Sequence, residues 1–597
     1  MLAQERDQAE EPAEVPVEAR RRPVTRLDLV IIGGFLLAGA FVMSALWHHP
    51  KARFLPITDQ YAFEWLIGTV TDSVLHWQNP LFTDNLNAPF GVNLMAQTSI
   101  IGLTVPLIPV TVLFGPSITF VLLLSLSFGG TAAAWYWVLS RHVVESRLSA
   151  AIAAALCGFA PPMMSHASGG HVNYVALFVL PFIVWRVVAL RDGHWLRGGI
   201  ILGALVAWQV LIGEEPLLVA ALGLAVFLAS YGVMARREVA AYWRPFVLGL
   251  VVAAVTTIAL VGYPLWFQFA GPQSYGAIPH AAAIGNNVFS LTTFASQSVG
   301  GTHPVGYLAY NPTEENGFFG WPLLALTTVI AIWLWRSSRL ARAAAITAGV
   351  MLLLSLGTKL AVGSHQTSIP LPWRVFIELP LVGSILPARL VFAAIPAIGL
   401  LLALATDRVL ALGPASERAG LPVRLMWLGA VAAVLLPIVP TRVDVYERPV
   451  APEFFASGEW RDFADPGRTI VAVPPPGGGA NYQMIWQVAA GMRFNHIEGY
   501  FIGPWGADGH GWYGVETQRP TSALLTNVAA SGTAPPVIDA MRRQAVEDLK
   551  FWQADAVVLD PSSNHAEEVR RTLDQLIGPG RLVGGVWAWD VRPLVRS

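Results

Sequence analysis

Long apolar runs separated by short polar loops dominate the first 440 residues of the chain. A transmembrane helix needs roughly 20 mostly apolar residues, and the runs of about that length predict about eleven spans. They are residues 27–47, 116–140, 148–164, 173–191, 197–213, 216–234, 245–267, 319–335, 343–360, 388–406 and 424–440. A further apolar run, residues 99–114, is shorter and contains Pro106 and Pro109.

Arginines occupy alternate loops between these runs. They are Arg141 and Arg147, then Arg186, Arg191 and Arg197, then Arg236, Arg237 and Arg244, then Arg336, Arg339 and Arg342, then Arg408, Arg418 and Arg424. Positively charged residues in short loops stay on the cytosolic side, so these loops and the arginines of residues 20–26 are predicted to be cytosolic. Two cytosolic loops must be separated by an even number of spans. Between residues 20–26 and Arg141, the runs 27–47 and 116–140 already supply two. The run 99–114 is therefore predicted to be a re-entrant or interfacial helix on the external side, where a broken helix is tolerated against protein or a cavity.

The pattern changes at both ends of the chain. Residues 1–26 have no apolar period, and they predict a disordered cytosolic tail. After the predicted transmembrane domain, residues 27–440, short strand patterns at 469–473, 555–560 and 586–591 occur with helical patterns at 535–552 and 565–577. Residues 441–597 therefore predict an external α/β domain.

Composition agrees with this organisation. The 597 residues are 54% hydrophobic and only 13% charged, which excludes a soluble protein of this size. No basic arm or patch stands out, so a nucleic-acid partner is not expected, and the partner that is expected is a lipid bilayer. The predicted fold class is a polytopic α-helical membrane protein with a re-entrant segment and a C-terminal extracytoplasmic α/β domain.

The first external loop, residues 48–115, carries the first candidate for chemistry. Asp59 follows the first span by a dozen residues and begins the helical pattern DQYAFEW. A carboxylate at the water–lipid boundary can act as a general base or as a ligand for a metal near a substrate phosphate. Alternatively, Asp59 only caps the helix. Farther along the loop, Asp84 and Asn93 are weaker site candidates because such side chains commonly form turns.

Other polar residues fall in loops predicted to share this external face. Glu214 and Glu215 interrupt an apolar stretch, and either lines the external cavity or is simply solvated. His166 and His171 are candidate ligands for substrate hydroxyls, phosphate or a metal. Their five-residue spacing does not place both on one helix face, so they do not form a zinc motif of the HExxH type.

Two arginines, Arg374 and Arg389, lie outside against the positive-inside trend. A guanidinium there can bind a phosphate or an anionic lipid headgroup through two hydrogen bonds, or it can extend to the interface without a specific role. The aromatic residues of PWGADGHGWYG, residues 504–514, can stack on sugar rings or seat the domain on the membrane.

The chain resembles the GT-C superfamily of membrane glycosyltransferases, which use lipid-linked sugar donors on the extracytoplasmic side. The likeness lies in an acid early in the first external loop (ITDQYAFEW), a Pro-rich half-embedded segment (APFGVNLMAQTSIIGLTVPLIPVTVLFG) and a next span that ends at Arg141-His142. It also looks like an uncharacterised bacterial branch with NPLFxxxLNAPFGVNL and GHVN strings, over roughly residues 27–220. The resemblance implies that Asp59 is the catalytic base or a metal-site residue. Many relatives have paired acids where this chain has Asp59-Gln60, so Glu64 or Glu214 would have to supply a second acid.

The sequence therefore predicts a glycosyltransferase of the bacterial plasma membrane, with its N-terminus in the cytosol. It would move a sugar, with inversion, from a polyprenyl-phosphate donor to a cell-envelope glycan or lipid acceptor. Asp59 would activate the acceptor hydroxyl, and Arg389 with Arg374 would hold the donor phosphate. A divalent metal at Asp59 and Glu214 is left open. The alternative is a non-catalytic lipid or glycan transporter or an envelope-assembly protein, which would place charged residues along a path through the bundle.

Overall fold

Helices form most of the chain up to residue 440. The structure is a computed structural model that describes residues 23–56, 59–278, 285–301, 308–412, 417–477 and 481–596. Residues 1–22, most of the predicted cytosolic tail, lie outside the described residues. In chain order the helices of this part are α1 (Arg26–Val42), α2 (Ser44–Trp47), α3 (Asp59–Leu75), α4 (Ile101–Thr104), α5 (Ile108–Phe114), α6 (Pro116–His142), α7 (Arg147–Phe159), α8 (Pro161–Ser168), α9 (Val172–Val175), α10 (Leu180–Ala189), α11 (Trp195–Val210), α12 (Glu214–Met234), α13 (Arg236–Ala270), α14 (Trp321–Leu334), α15 (Arg339–Ser355), α16 (Val391–Leu410) and α17 (Glu417–Leu435).

Among the described residues, six helical stretches are long and apolar enough to cross a membrane. They are Pro116–His142, Arg147–Ser168, Glu214–Met234, Arg236–Ala270, Pro387–Leu410 and Leu421–Ile438. The chain is thus a polytopic α-helical membrane protein. The other predicted spans also contain helices, but these are shorter, such as α11 with 16 residues and α14 with 14. The predicted number of about eleven spans is therefore not confirmed.

The run 99–114 is a broken helix. It consists of α4, a short 3-10 turn at Val105–Leu107 and α5. Pro106 lies inside that turn, where its ring and missing N–H interrupt the helical hydrogen bonds. Gly115, at a φ of +91°, then reverses the chain into α6. The break agrees with the expected irregular segment, whereas its depth in the membrane stays a prediction.

After residue 440 the chain forms a mixed sheet with flanking helices. The helices are α18 (Glu453–Ala456), α19 (Met484–Ala489), α20 (Pro520–Ser531), α21 (Asp539–Phe551), α22 (Ala566–Ile577) and α23 (Arg592–Val595). The strands of the whole chain are β1 (Arg53–Phe54), β2 (Phe82–Thr83), β3 (Val92–Asn93), β4 (Lys359–Val362), β5 (His365–Pro370), β6 (Tyr446–Glu447), β7 (Thr469–Val473), β8 (Ile502–Trp505), β9 (His510–Tyr513), β10 (Ala554–Leu559), β11 (Arg581–Val583) and β12 (Val586–Asp590).

The four-stranded sheet has the order β11-β12-β10-β7. β7 and β10 are parallel, with Val557 opposite Val471, and β12 is antiparallel to β10. The three predicted strands are confirmed, because β7, β10 and β12 coincide with the apolar runs that predicted them. Both predicted helices are also confirmed as α21 and α22, and Gly578 closes α22 at a φ of +92°. The boundary of a separate external domain stays a prediction.

The helix α3 joins the membrane helices to the C-terminal residues. Almost all of its side chains are buried, including polar ones. Trp65 on α3 donates a hydrogen bond of 2.6 Å to Gln487 on α19, and Gln97 bonds the backbone of Ile502 through both its amide nitrogen and its oxygen. The first loop is therefore enclosed between the bundle and the C-terminal part of the chain, and it is not an open solvent loop.

Two carboxylates near helix ends, Asp28 and Asp407, bond to the loop that joins α6 to α7 and to the start of α7. Arg147 binds the buried Asp28 near the start of α1 at 2.9 Å, and Asp407 near the end of α16 accepts from the backbone N–H groups of residues 145 and 146. Arg389, by contrast, directly precedes α16 and belongs to a separate set of polar contacts. The two ends of α16 thus carry two distinct charged clusters, as the alternation of arginine loops predicts. Which end of α16 lies on which side of the membrane stays a prediction.

Candidate functional site

Asp59 begins α3 and is only partly buried. Its side chain is 19% exposed, whereas Gln60 directly after it is fully buried. Its Oδ2 atom lies 2.7 Å from Nε2 of His171. The close approach depends on Gly170, which has a φ of +81° and lies so near α3 that an added Cβ would be 3.0 Å from the backbone nitrogen of Gln60. Glycine meets both requirements because it has no Cβ.

His166 and His171 meet through a turn. α8 ends at Ser168, two glycines follow, and the Nδ1 atoms of the two rings lie 2.8 Å apart. His166 is completely buried, and its ring is stacked on that of Tyr174 with the centres 4.5 Å apart. Its Nε2 atom lies 3.0 Å from Oδ1 of Asn316. The two histidines therefore continue the hydrogen-bond chain from Asp59 into the protein without sharing a helix face.

Arg389 lies between two carboxylates at the far end of this chain. Its Nη1 atom donates to Glu215 at 2.7 Å and to the Tyr174 hydroxyl at 3.3 Å, and its Nε and Nη2 atoms donate to Glu314 at 3.1 and 2.5 Å. The guanidinium carbon also lies 4.7 Å from the centre of the Tyr174 ring. A guanidinium has five N–H groups, and four of them are engaged here. Glu215, and not Glu214, is the neighbouring acid on α12.

Glu314 connects Arg389 to the histidines. Its side chain is 3% exposed, and its Oε2 atom accepts a 2.6 Å hydrogen bond from the amide nitrogen of Asn316. Burial alone would raise the pKa of the Glu314 carboxyl, but the positive charge of Arg389 and its hydrogen bonds lower that pKa to about 2. Glu314 is therefore an ionised carboxylate that only accepts hydrogen bonds at physiological pH.

Residues near the C-terminal hairpin β8–β9 cover Asp59. Tyr500, just before β8, lies close enough to Asp59 for this carboxylate to raise the pKa of its phenol, and its ring is stacked on that of Tyr513 at the end of β9, with the centres 5.9 Å apart. Burial raises the pKa of both tyrosines, and the Asp59 carboxylate raises them further. Both phenols therefore stay protonated and can donate hydrogen bonds beside the carboxylate. The predicted aromatic patch contributes to this site through Tyr513.

Glu64 belongs to a different cluster from Asp59. It is fully buried and accepts two hydrogen bonds from Arg448, at 3.0 and 2.7 Å, one from Gln60 at 2.6 Å and one from Ser117 at 2.6 Å. Four donors fill the acceptor capacity of a carboxylate. The residue expected to serve as a second acid is thus fully engaged by protein donors, and its role in the site stays a prediction.

The other sequence candidates have varied surroundings. Glu214 accepts a 2.8 Å hydrogen bond from Gln268. Asp84 is exposed. Asn93 is buried, donates to the carbonyl of residue 267, and accepts from two backbone N–H groups just after it, so it forms a turn. Arg374 is exposed, and within the described part of the chain its side chain has no hydrogen-bond or ion-pair partner. The substrate-binding roles of these residues stay predictions.

No group of three His, Cys, Asp or Glu side chains within the described ranges is arranged to hold a metal ion. The sequence patterns pointed to Asp59, His166, His171, Glu215 and Arg389, which the structure brings together. They did not point to four residues of the same cluster, which are Tyr174, Glu314, Asn316 and Tyr500. Tyr174 follows His171 by three residues in GHVNY, and Asn316 directly follows two acids in a loop predicted to be external. Polar residues that lie within a few positions of other polar site residues in the sequence are a signal that could have identified Tyr174 and Asn316.

No protein-family model matches the chain, and no curated protein sequence matches it either. Among solved structures, an oligosaccharyltransferase from Archaeoglobus fulgidus in its apo form is similar with a TM-score of 0.50 and 13% identity, over 89% of this chain and 69% of that chain. The arabinofuranosyltransferase AftD from mycobacteria is similar with a TM-score of 0.53 and 14% identity, over 96% of this chain. The chain spans only 40% of the length of AftD. These likenesses show that the chain has the GT-C fold.

Proposed function

We propose that this GT-C-fold chain is a glycosyltransferase that moves a sugar from a polyprenyl-phosphate donor to a cell-envelope glycan or lipid acceptor. The reaction would take place on the extracytoplasmic side of a bacterial plasma membrane. Asp59 would act as the general base. The observation that carries the proposal is the position of this carboxylate, which is partly exposed at the open end of an otherwise buried hydrogen-bond chain.

The surroundings of Asp59 suit a base that accepts a proton from a hydroxyl. His171 fixes its orientation and Tyr500 lies beside it, and its remaining exposure leaves room for an acceptor hydroxyl. In the transfer, the acceptor oxygen forms a bond to the anomeric carbon of the sugar while the bond from that carbon to the phosphate oxygen breaks. The hydroxyl proton goes to Asp59, and the bonding electron pair leaves with the polyprenyl phosphate. A positioned base contributes about 10²–10⁴-fold to such a reaction.

Arg389 would have two roles in this proposal. Four of its N–H groups hold Glu215, Glu314 and Tyr174 in place. The remaining N–H would contact the donor phosphate, because Arg389 is 15% exposed and directly precedes α16. Arg374 is exposed. It would bind the donor phosphate only after its own side chain moves toward the donor, or after the donor extends as far as Arg374.

The transport alternative has less support. A transporter is expected to place ionisable groups along a path through the bundle. Here Asp59, His171, Glu215, Glu314 and Arg389 form one connected cluster at the ends of their helices. Such a cluster suits chemistry at one surface of the membrane.

The test compares Asp59→Asn with Asp72→Asn. Asp72 lies on the same helix and also faces an imidazole, that of His76, at 3.1 Å, but it has no contact with the cluster. The purified protein in lipid nanodiscs would be incubated with radiolabelled polyprenyl-phosphate hexose and polyprenyl-phosphate arabinofuranose, together with a cell-envelope glycan extract. We expect transfer of label by the wild type and by Asp72→Asn, and a loss of about 10²–10⁴-fold in Asp59→Asn. Undiminished transfer by Asp59→Asn would remove this residue from the mechanism.

A further inference from the structure

An uninterrupted set of hydrogen bonds runs from Asp59 through His171, His166 and Asn316 to Glu314. We propose that Glu314, Asn316 and His166 are positioning residues that hold His171 as an imidazolium ion paired with the Asp59 carboxylate. This inference rests on the proposed function, since it assigns the charge state of the group that orients the base.

Glu314 fixes the orientation of the amide beside it. This carboxylate is ionised, because it forms an ion pair with Arg389 in a buried position, and an ionised carboxylate has no proton to donate. The Asn316 side chain bridges Glu314 and His166. Its NH₂ group must therefore face Glu314, which leaves its carbonyl oxygen facing Nε2 of His166. This orientation follows from the chemistry of Glu314 alone.

The next step fixes the tautomer of His166. A carbonyl oxygen only accepts, so Nε2 of His166 must carry a hydrogen to make the 3.0 Å contact. His166 is completely buried, with its ring against Tyr174 and Phe392. Its Nε2 atom also lies 3.9 Å from Oε2 of Glu314, but the charge of Glu314 is already neutralised by Arg389. Burial therefore favours the neutral form of this imidazole. A neutral imidazole with hydrogen on Nε2 has a lone pair on Nδ1. His166 thus presents an acceptor to His171.

His171 must then donate from both nitrogens. Its Nδ1 atom lies 2.8 Å from the lone pair of His166, and its Nε2 atom lies 2.7 Å from Asp59. If His171 were neutral with hydrogen on Nε2, two lone pairs would face each other across 2.8 Å. If it were neutral with hydrogen on Nδ1, Asp59 would have to be protonated, and it could not act as a base. With His166 neutral, only the imidazolium form of His171 satisfies every contact while Asp59 stays ionised.

The other charged and titratable groups around His171 agree with a positive charge there. The carboxylates of Asp59, Glu215 and Glu314 are opposed by one guanidinium, that of Arg389. The nearby phenols Tyr174, Tyr500 and Tyr513 are neutral. Without a charge on His171 the cluster would carry two net negative charges, and with it only one. Since the donor brings an anionic phosphate, the imidazolium lowers the repulsion that the donor meets.

The experiment reads the protonation of the histidines directly. The full-length protein, labelled with ¹⁵N-histidine and held in nanodiscs, would be studied by NMR at pH 7.5, where the shifts of the two ring nitrogens distinguish an imidazolium from each neutral tautomer. His166→Gln and His171→Gln variants would assign the signals among the 13 histidines. An ordinary imidazole is about nine-tenths neutral at this pH. We expect His171 to be an imidazolium and His166 to be neutral with hydrogen on Nε2.

Two variants remove the constraint in different ways. Asn316→Leu deletes the acceptor that fixes His166, and Glu314→Gln allows Asn316 to turn its NH₂ group toward His166. In both, the imidazolium fraction of His171 at pH 7.5 should fall at least about fivefold, toward that of an ordinary imidazole. The matched controls are Asn286→Leu, a buried amide that donates to the carbonyl of residue 388, and Glu64→Gln, a buried acid paired with another arginine. Neither control should change the His171 signals.

Two results would overturn the proposal. One is a neutral His171 in the wild type at pH 7.5, and the other is an imidazolium that persists in Asn316→Leu. Because the NMR readout needs no substrate, it decides the proposal even when none of the donors tested is transferred. Where transfer is measured, Asn316→Leu should raise the KM for the polyprenyl-phosphate donor at least about threefold at pH 7.5 and leave kcat within about twofold, since the lost charge acts on phosphate binding. An unchanged KM would contradict the electrostatic role.

Discussion

Two partly buried arginines, Arg389 and Arg448, have similar neighbours and different consequences. Each forms an ion pair with a glutamate that is at most 3% exposed, and each lies over a tyrosine ring, Tyr174 at 4.7 Å or Tyr61 at 5.4 Å. Each also joins segments that are distant in the sequence. By residue type and burial alone, the two would be given the same role.

The difference lies in how completely each cluster uses its hydrogen-bonding capacity. Around Arg448, the carboxylate of Glu64 accepts four hydrogen bonds and both side chains of the ion pair are at most 6% exposed, so the cluster is complete. Around Arg389, the contacts continue through the histidines and end at Asp59, which is 19% exposed. A buried ion pair by itself therefore indicates only a structural link, whereas an ion pair that extends to a partly exposed carboxylate indicates a site.

The largest effect expected to separate the two clusters is on the proposed sugar transfer, in which Asp59 is the base. Asp59→Asn keeps the shape of the side chain but removes the proton acceptor, so transfer should fall about 10²–10⁴-fold. Thermal unfolding of the same variant should change little, because the residue is partly exposed and its amide can still accept from His171. A large drop in Tm together with retained transfer would show that Asp59 has a structural role, like that of the Arg448 cluster.

Arg448→Met should show the opposite behaviour. It leaves Glu64 as an unpaired buried charge, and breaking a buried pair costs about 3–5 kcal/mol of unfolding free energy. The double variant Arg448→Met with Glu64→Leu removes both charges and should recover most of that loss, since apolar replacement of a buried pair is often close to neutral. Thermal denaturation of the two variants in detergent measures the difference. Equal destabilisation by both would mean that the pair is not simply a structural link.

Acid should weaken the Arg389 cluster through Glu314. The folded pKa of Glu314, about 2, is lower than the ordinary value of 4.5, so the unfolded chain binds more protons between these values. The stabilisation is therefore complete above about pH 4.5 and is lost as the pH falls toward 2, and it amounts to roughly 3 kcal/mol. Comparing unfolding of the wild type and Glu314→Gln at pH 6 and pH 3 tests this. The wild type should lose more of its stability than the variant.

The smallest effect is expected for the pair of Asp72 with His76, which is the exposed counterpart of Asp59 with His171. The His76 side chain is 42% exposed, and surface pairs at this spacing contribute at most about 0.5 kcal/mol. Asp72→Asn should shift Tm slightly at low salt and not measurably at high salt. A shift that is independent of salt would show that this pair has a role beyond surface electrostatics.

Sequence patterns predicted the elements better than the partners. The apolar runs and strand patterns located helices such as α6 and strands such as β10, because periodicity reports which faces are buried. They could not show that Glu64 bonds to Arg448, which lies 384 residues away. They also could not show that a Gly-Gly turn brings His166 against His171. A spacing of five residues shows that the two histidines do not share one face of a helix, but it does not specify the turn between them. Asn316 was missed because its importance comes only from the two side chains that it bridges.

The C-terminal cover of Asp59 has a consequence for how the protein is made. Asp59 follows only the first predicted span, whereas Arg448, Tyr500 and Tyr513 are synthesised after every predicted membrane span. The nascent chain can therefore insert its helices while Asp59 still lacks the phenols that cover it. The contacts around Asp59 are completed only when the residues after the last predicted span have folded against α3.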